Sequence, residues 1–415
     1  MNTTAAIERH PADLARAGFS PHRLGRMHAV LGGHVERGEL PGLVALAARH
    51  GEAHVQAIGS MTTEGGGAMN RDTIFRIASM TKPVAAAAAM ILVEECRLRL
   101  DDPVDRFLPE LAHRRVLRRI DGPLEDTVPA SRPITLRDLL TLRMGIGHLM
   151  LPSNTYPIQQ ALNEHGLLQG PPHPRTMPAP DEWIHRVGAL PLMYQPGERW
   201  MYDLGLDVLG VLIARASGQP LETFMRERLF EPLGMKDTGF HVPPEKHGRL
   251  PGCYQADPAT GALALYDAPG AASEWSSPPP FPSAAGGLVS TADDYLAFCT
   301  MMINKGRHGN LRILSRPAVE VMTSDQLTPE QRASAPIFFG DDSTWGFGMA
   351  VATRRSDLAN VPGRFGWTGG LGTSAYTDPA EGVVGILLTQ CLMSSPQAPE
   401  IFRDFWTGTY QAIDD

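Results

Sequence analysis

The sequence predicts an α+β protein in which one sheet is assembled from the two ends of the chain and a mostly helical stretch is inserted between them. Three observations predict it. Strand-like apolar runs cluster near residues 43–58 and again between 345 and 389. From 97 to about 270 the periodicity is helical and loop-like. Of the 415 residues, 43% are hydrophobic, which permits a large core.

The elements follow in chain order. Ser20 caps an expected helix from Pro21 to Glu36, with Leu24, Met27, Leu31 and Val35 on one face. Leu43–Ala48 and Ala53–Ile58 read as a hairpin turning at His50-Gly51. Thr73–Arg76 is a short strand leading into an alanine-rich helix from Met80 to about Cys96, with Ser79 at its entry. Thr135 caps a short helix to Leu142, and 151–180 is a long excursion expected to wall a ligand site. Leu204–Ser217 and Leu221–Phe230 are two more helices, and Ser273–Pro282 is a stiff Pro-rich loop. Thr291 caps a helix through Asn304. Trp345–Thr353, Arg364–Thr368, Thr373–Asp378 and Val383–Thr389 read as strands, and Pro399–Ala412 as a closing helix. Residues 20–96 with 285–415 would form the sheet part and 97–284 the helical part, with a cleft between them.

Composition excludes several functions. Lys and Arg total 37 against 45 Asp and Glu, a net charge of −8, so no nucleic-acid footprint is expected. The densest basic group, Arg114-Arg115 with Arg118-Arg119, reads as the solvated face of a helix. No run is long enough to span a membrane, and Met1 to Ala17 lacks the apolar stretch of a secretory leader. Four scattered cysteines without a C-x-x-C pair fit reduced thiols and a cytoplasmic protein. The histidines, His148 and His241 included, show no ligand spacing, so no metal or cofactor is expected. Oligomeric state leaves no sequence signal.

Only four of the cationic residues are lysines: Lys82, Lys236, Lys246 and Lys305. Arginine cannot act as a base, whereas a desolvated lysine can. Lys82 completes Ser79-Met80-Thr81-Lys82, an S-x-x-K element whose i and i+3 side chains share a helix face. Burial and the helix N-terminus are expected to lower the lysine pKa, leaving Lys82 neutral. A second element, Pro196-Gly197 through Tyr202-Asp203-Leu204, delivers Tyr202 to a helix start. A third, Gly366-Trp367-Thr368-Gly369-Gly370, bridges two strands with glycines that permit close approach of a ligand. Taken singly, each has an ordinary reading: a capped helix, a packing tyrosine, a flexible turn.

Together, in this order, the three elements resemble the serine β-lactamase and penicillin-binding-protein superfamily, marked by S-x-x-K, a tyrosine or serine motif, and K-T-G. Phe75–Lys82, Tyr194–Gly197 and Ala285–Thr291 extend the resemblance across most of residues 20–395. Within it the chain looks most like family VIII carboxylesterases, built on a class C β-lactamase frame. The resemblance implies an antiparallel β-lactamase/transpeptidase-like sheet, with Ser79, Lys82 and Tyr202 as catalytic residues. It places the oxyanion hole at the N–H groups of Ser79 and Gly370, and substrate contacts at Trp367, Thr368 and Gly369. Two departures disfavour β-lactams. Leu204 stands where Y-x-N has its amide, and Trp367 where K-T-G has its lysine. Arg364 is a candidate substitute cation. The expectation is a serine carboxylesterase for small-molecule esters. The alternatives are a β-lactamase or D-alanyl-D-alanine carboxypeptidase, an acyltransferase on the same fold and, last, a non-catalytic binding protein.

Overall fold

The computed structural model describes residues 17–152, 154–167 and 170–415. The leader reading of Met1 to Ala17 falls, up to residue 16, outside them. Helix α1 (Pro21–Glu36) begins with proline at its first position, where the fixed φ favours helix and the missing N–H costs nothing. Ser20 precedes it as expected, but its hydroxyl makes no capping bond. Leu24, Met27 and Leu31 are buried, and the fourth buried position is His34, while Val35 is only half-buried. The His34 ring nitrogens lie 2.5 Å from a Glu39 and 2.8 Å from an Asp404 carboxylate oxygen.

Strands β1 (Gly42–Arg49) and β2 (Glu52–Gly59) form the expected hairpin. His50 and Gly51 both have positive φ, +51° and +85°, as a two-residue turn matching strand twist requires. Helix α2 (Thr81–Glu94) runs through the core with Thr81 through Leu92 all buried, its alanines allowing close packing against α3 (Leu204–Ser217). Helix α4 spans Ala292–Ile303, with the Thr291 side chain capping it by accepting the Asp294 N–H.

Five strands follow: β3 (Ser343–Trp345), β4 (Ala350–Ala352), β5 (Phe365–Gly369), β6 (Thr373–Asp378) and β7 (Val383–Thr389), before α5 (Glu400–Gln411). All seven strands form one antiparallel sheet, ordered β3-β4-β5-β6-β7-β1-β2. The expected α+β fold with its sheet from both ends is therefore present. β1 is an interior strand buried on both faces: Leu43, Ala45 and Ala47 face α1 and α5, and Val44 and Leu46 face the larger core that contains α2.

Two expectations fail locally. The strand read across 345–353 is two strands, because Gly346 and Gly348 turn the chain between them. Gly348 has φ +72°, and a side chain there would meet the Lys82 carbonyl oxygen at 2.7 Å. The basic run at 114–119 is no helix. Arg115–Leu117 is a strand, and Arg114 is buried, donating to the carbonyls of Val187, Gly188 and Leu190. Among the described residues no helix is long and apolar enough to cross a membrane. None of the four cysteines is disulfide-bonded.

Candidate active site

The segment carrying Ser79 is held by its neighbours before α2 begins. Phe75-Arg76 pairs antiparallel with Val289-Ser290, and the Ile77 N–H donates to the Leu288 carbonyl at 3.0 Å. Ala78 then takes φ +43°, a conformation that costs a non-glycine residue energy and re-aims the next side chain. Ser79 sits in a single 3-10 turn, Ala78–Met80, half-buried. The Thr81 hydroxyl donates to the Ala78 carbonyl at 2.7 Å and accepts the Leu288 N–H at 3.1 Å. Tyr295 donates to the Met80 carbonyl at 2.9 Å.

One turn on, the fully buried Lys82 directs Nζ to three acceptors: Ser79 Oγ at 2.8 Å, Asp203 Oδ1 at 2.5 Å and the Ala285 carbonyl at 2.7 Å. Its charge reverses the sequence expectation. Burial is the largest influence and favours proton loss, but Asp203, Tyr202 and Asp207 together outweigh it and hold the lysine pKa above its ordinary value. Lys82 rests as an ammonium. Its partner lies 121 residues away in sequence.

Asp203 stands at the entry to α3 with φ +80° and ψ −71°, and the Leu204 N–H closes back on the Tyr202 carbonyl at 3.3 Å. This is a γ-turn of the strained hand. The turn presents Tyr202, whose carbonyl accepts the His148 N–H at 2.8 Å and whose ring lies 4.5 Å from Lys82 Nζ. Tyr202 stacks on Phe338 with centroids 5.1 Å apart. Its hydroxyl accepts from Trp367 Nε1 at 2.8 Å.

Trp367 is expected to offer its N–H and apolar face to substrate. It does border the cleft, but the ring is largely buried edge-on against Trp345 and the N–H is spent on Tyr202. Thr368 and Gly370 line the cleft beside it. Gly369 is required by packing: a Cβ there would lie 2.3 Å from the Ile77 carbonyl oxygen and 2.2 Å from Thr373 Oγ1. This contact seats the end of β5 against the Ser79 segment. A Cβ on Gly370 would meet nothing within 4 Å.

These groups surround a cleft of about 290 Å³. The structure thus brings Ser79, Tyr202, Trp367, Thr368 and Gly370 to one cavity, with Lys82 and Gly369 directly behind it. The 151–180 excursion contributes Gly170, Pro171, Pro172, His173 and Met177. The aromatics of the 273–282 loop do not reach the cleft. Trp275 is buried with its N–H on the Gly287 carbonyl, and Phe281 packs on Trp183. Arg364 is also elsewhere, buried among Tyr376, Trp406 and Tyr410 on the α5 side, so it supplies no cation to the cleft.

Sequence reasoning missed Asp203, Asp207, His148, Phe338 and the 393–396 segment, all of which line the cleft. Two carboxylates four residues apart at a helix start were the available signal for Asp203 and Asp207. Burial lowers the His148 pKa and keeps its ring neutral. Asp207 accepts from the Ser283 hydroxyl at 2.7 Å and the Ala285 N–H at 3.0 Å, bracing the carbonyl that Lys82 uses. Burial, then Asp203, push the Asp207 pKa up. A carboxyl whose folded pKa exceeds its unfolded value costs stability as pH climbs from about 4 through the folded pKa. Asp207→Asn keeps the accepting oxygen without that cost. Its melting temperature is expected to match wild type near pH 4 and exceed it by about 2–4 °C at pH 8. A difference independent of pH would contradict this account of Asp207.

Comparison with known proteins agrees with the geometry. The Beta-lactamase family profile matches residues 27–403. Protein Rv1367c of Mycobacterium tuberculosis is 38% identical over 347 residues, covering 81% of this chain and 82% of that protein. Esterase EstB of Burkholderia gladioli is 32% identical over 394 residues, covering 90% and 92%. Among solved structures, EstCE1, described as a hydrolase with promiscuous acyltransferase activity, superposes with a TM-score of 0.76 at 24% identity, covering 97% of this chain and 100% of that one. The chain belongs to the Beta-lactamase family and is a serine hydrolase of the β-lactamase fold.

Proposed function

We propose that the protein is a carboxylesterase that cleaves small, uncharged carboxylic esters through an acyl-enzyme on Ser79. The observation that carries the reading is Ser79 Oγ 2.8 Å from Lys82 Nζ, in a cleft that no lysine or arginine lines among the described residues. Kinship with Esterase EstB supports it. Ser79 Oγ attacks the ester carbonyl, and the N–H groups of Ser79 and Gly370 receive the oxyanion. Removing one such donor typically costs on the order of a hundredfold in rate or more. The Ser79 proton leaves by way of Lys82 Nζ, which gives up one of its own protons as it takes it, and Tyr202, oriented by Trp367, passes a proton to the leaving alcohol and then helps the deacylating water. Trp367, Thr368 and Gly369 shape the substrate site from β5, the first as the holder of Tyr202.

Substrate choice follows from charge. A β-lactam carboxylate would enter a cleft that offers Asp203 and Asp207 and, among the described residues that line it, no lysine or arginine to pair with. Ser79 and Trp367 would come from the sheet part, 20–96 with 285–415, and His148 and Tyr202 from the helical part, 97–284. The free cysteines support a cytoplasmic placement. The test is a panel of short p-nitrophenyl esters set against nitrocefin. Clear ester turnover with weak or no nitrocefin hydrolysis is expected. A kcat/KM for the cephalosporin above that for simple esters would overturn the ranking.

A further inference from the structure

An ammonium cannot accept a proton. Lys82 already has an acceptor for each of its three N–H bonds: Ser79 Oγ, Asp203 Oδ1 and the Ala285 carbonyl. For Lys82 to take the Ser79 proton, one of those N–H bonds must be given up. Of the three acceptors, a peptide carbonyl does not hold a proton and Ser79 is the donor of the incoming one. The Asp203 carboxylate is left, at 2.5 Å.

The placement of Asp203 points the same way. An aspartate at a helix start normally caps it by accepting an N–H from the first turn. Asp203 makes no such bond, and among the described residues Lys82 is its sole hydrogen-bonded or ion-pair partner through the side chain. The backbone meanwhile holds the γ-turn at φ +80°, which glycine would adopt freely and aspartate adopts at a cost. A strained turn that forgoes capping aims one carboxylate at one ammonium.

We propose that Asp203 is a positioning residue that works through Lys82, receiving by way of Nζ the proton that Ser79 releases on attack. This rests on the reading of Ser79 as nucleophile. As the Oγ–carbon bond forms, the Ser79 O–H bond breaks and its proton goes to Nζ, while a proton already on Nζ goes to Asp203 Oδ1. The carbonyl π pair becomes the oxyanion. Lys82 ends as the ammonium it began as, and Asp203 ends as the acid. When the tetrahedral adduct collapses, the proton returns through Lys82 toward the leaving alcohol, restoring the carboxylate. The pair gains one positive charge as the oxyanion gains one negative, so the net charge of the site is unchanged during attack. The other titratable groups facing it are Tyr202, Asp207 and His148.

Asp203→Asn tests this, because asparagine tolerates positive φ and keeps the shape but cannot hold the proton. Its kcat is expected to fall on the order of 10²-fold, within the range of positioned proton transfer. KM is expected to stay within about threefold, since binding contacts are unchanged. The pH profile changes form as well. In the variant Lys82 must itself lose a proton first, so turnover climbs steadily with pH. Asp203→Glu is expected to recover part of the rate at neutral pH. The rate of fluorophosphonate labelling, mapped by mass spectrometry, is measured on all three proteins. A wild type unlabelled at Ser79 removes the nucleophile reading itself. A wild type labelled at Ser79, with Asp203→Asn matching its labelling rate and pH profile, overturns the role of Asp203 alone.

Discussion

Ser79→Ala is expected to abolish the covalent fluorophosphonate adduct and to lower ester turnover by at least about 10⁴-fold, as loss of a nucleophile does in other serine hydrolases. The substitution removes one oxygen from a half-buried position whose backbone is fixed by Leu288, Thr81 and Tyr295. The fold is therefore expected to persist, with circular dichroism and melting temperature near wild type. Intact-mass spectrometry checks the adduct and initial rates on p-nitrophenyl acetate check turnover. Labelling that survives the substitution would move the nucleophile to another residue.

Lys82→Met is expected to cost on the order of 10³-fold in kcat, the scale of a missing proton-transfer group. Methionine matches the stem and burial of lysine but has no proton to exchange. Stability is expected to fall too, because the Asp203 carboxylate loses its counter-charge and the Ala285 carbonyl loses a donor. The double variant Lys82→Met/Asp203→Asn separates these effects. It is expected to regain part of the lost melting temperature while staying as inactive as Lys82→Met. A double variant that recovers turnover would rule out Lys82 as the group that moves the proton.

Features governed by neighbours in sequence were legible beforehand. α1, α3, β6 and β7 occupy the expected residues, since proline at a helix start, 3.6-residue periodicity and two-residue alternation are local properties. The break between β3 and β4 was also written locally, in Gly346 and Gly348. The charge on Lys82 was not, because it is decided by Asp203, brought alongside by the packing of α2 on α3. Arg364 carried a usable signal. Alternation along extended backbone puts positions 364 and 367, three residues apart, on opposite faces, so one extended stretch could not give both to the same cleft. Phe338 gave less, since nothing near Pro336–Phe339 tells which aromatic it will stack against.

The pairing of β1 with β7 sets Leu43 against Thr389 and Arg49 against Val383. Nearly everything that shapes the cleft is threaded through the loop this pairing closes. During synthesis Ser79 leaves the ribosome on the order of tens of seconds before β7 does, at ordinary elongation rates. Until then β5 and β6 lack the edge they dock on, and the Ser79 turn lacks the glycine contact at 369 that seats it. So non-local a closure folds slowly. The nascent chain accordingly carries a serine with no working site around it, and hydrolytic capacity switches on only when the last strand is home.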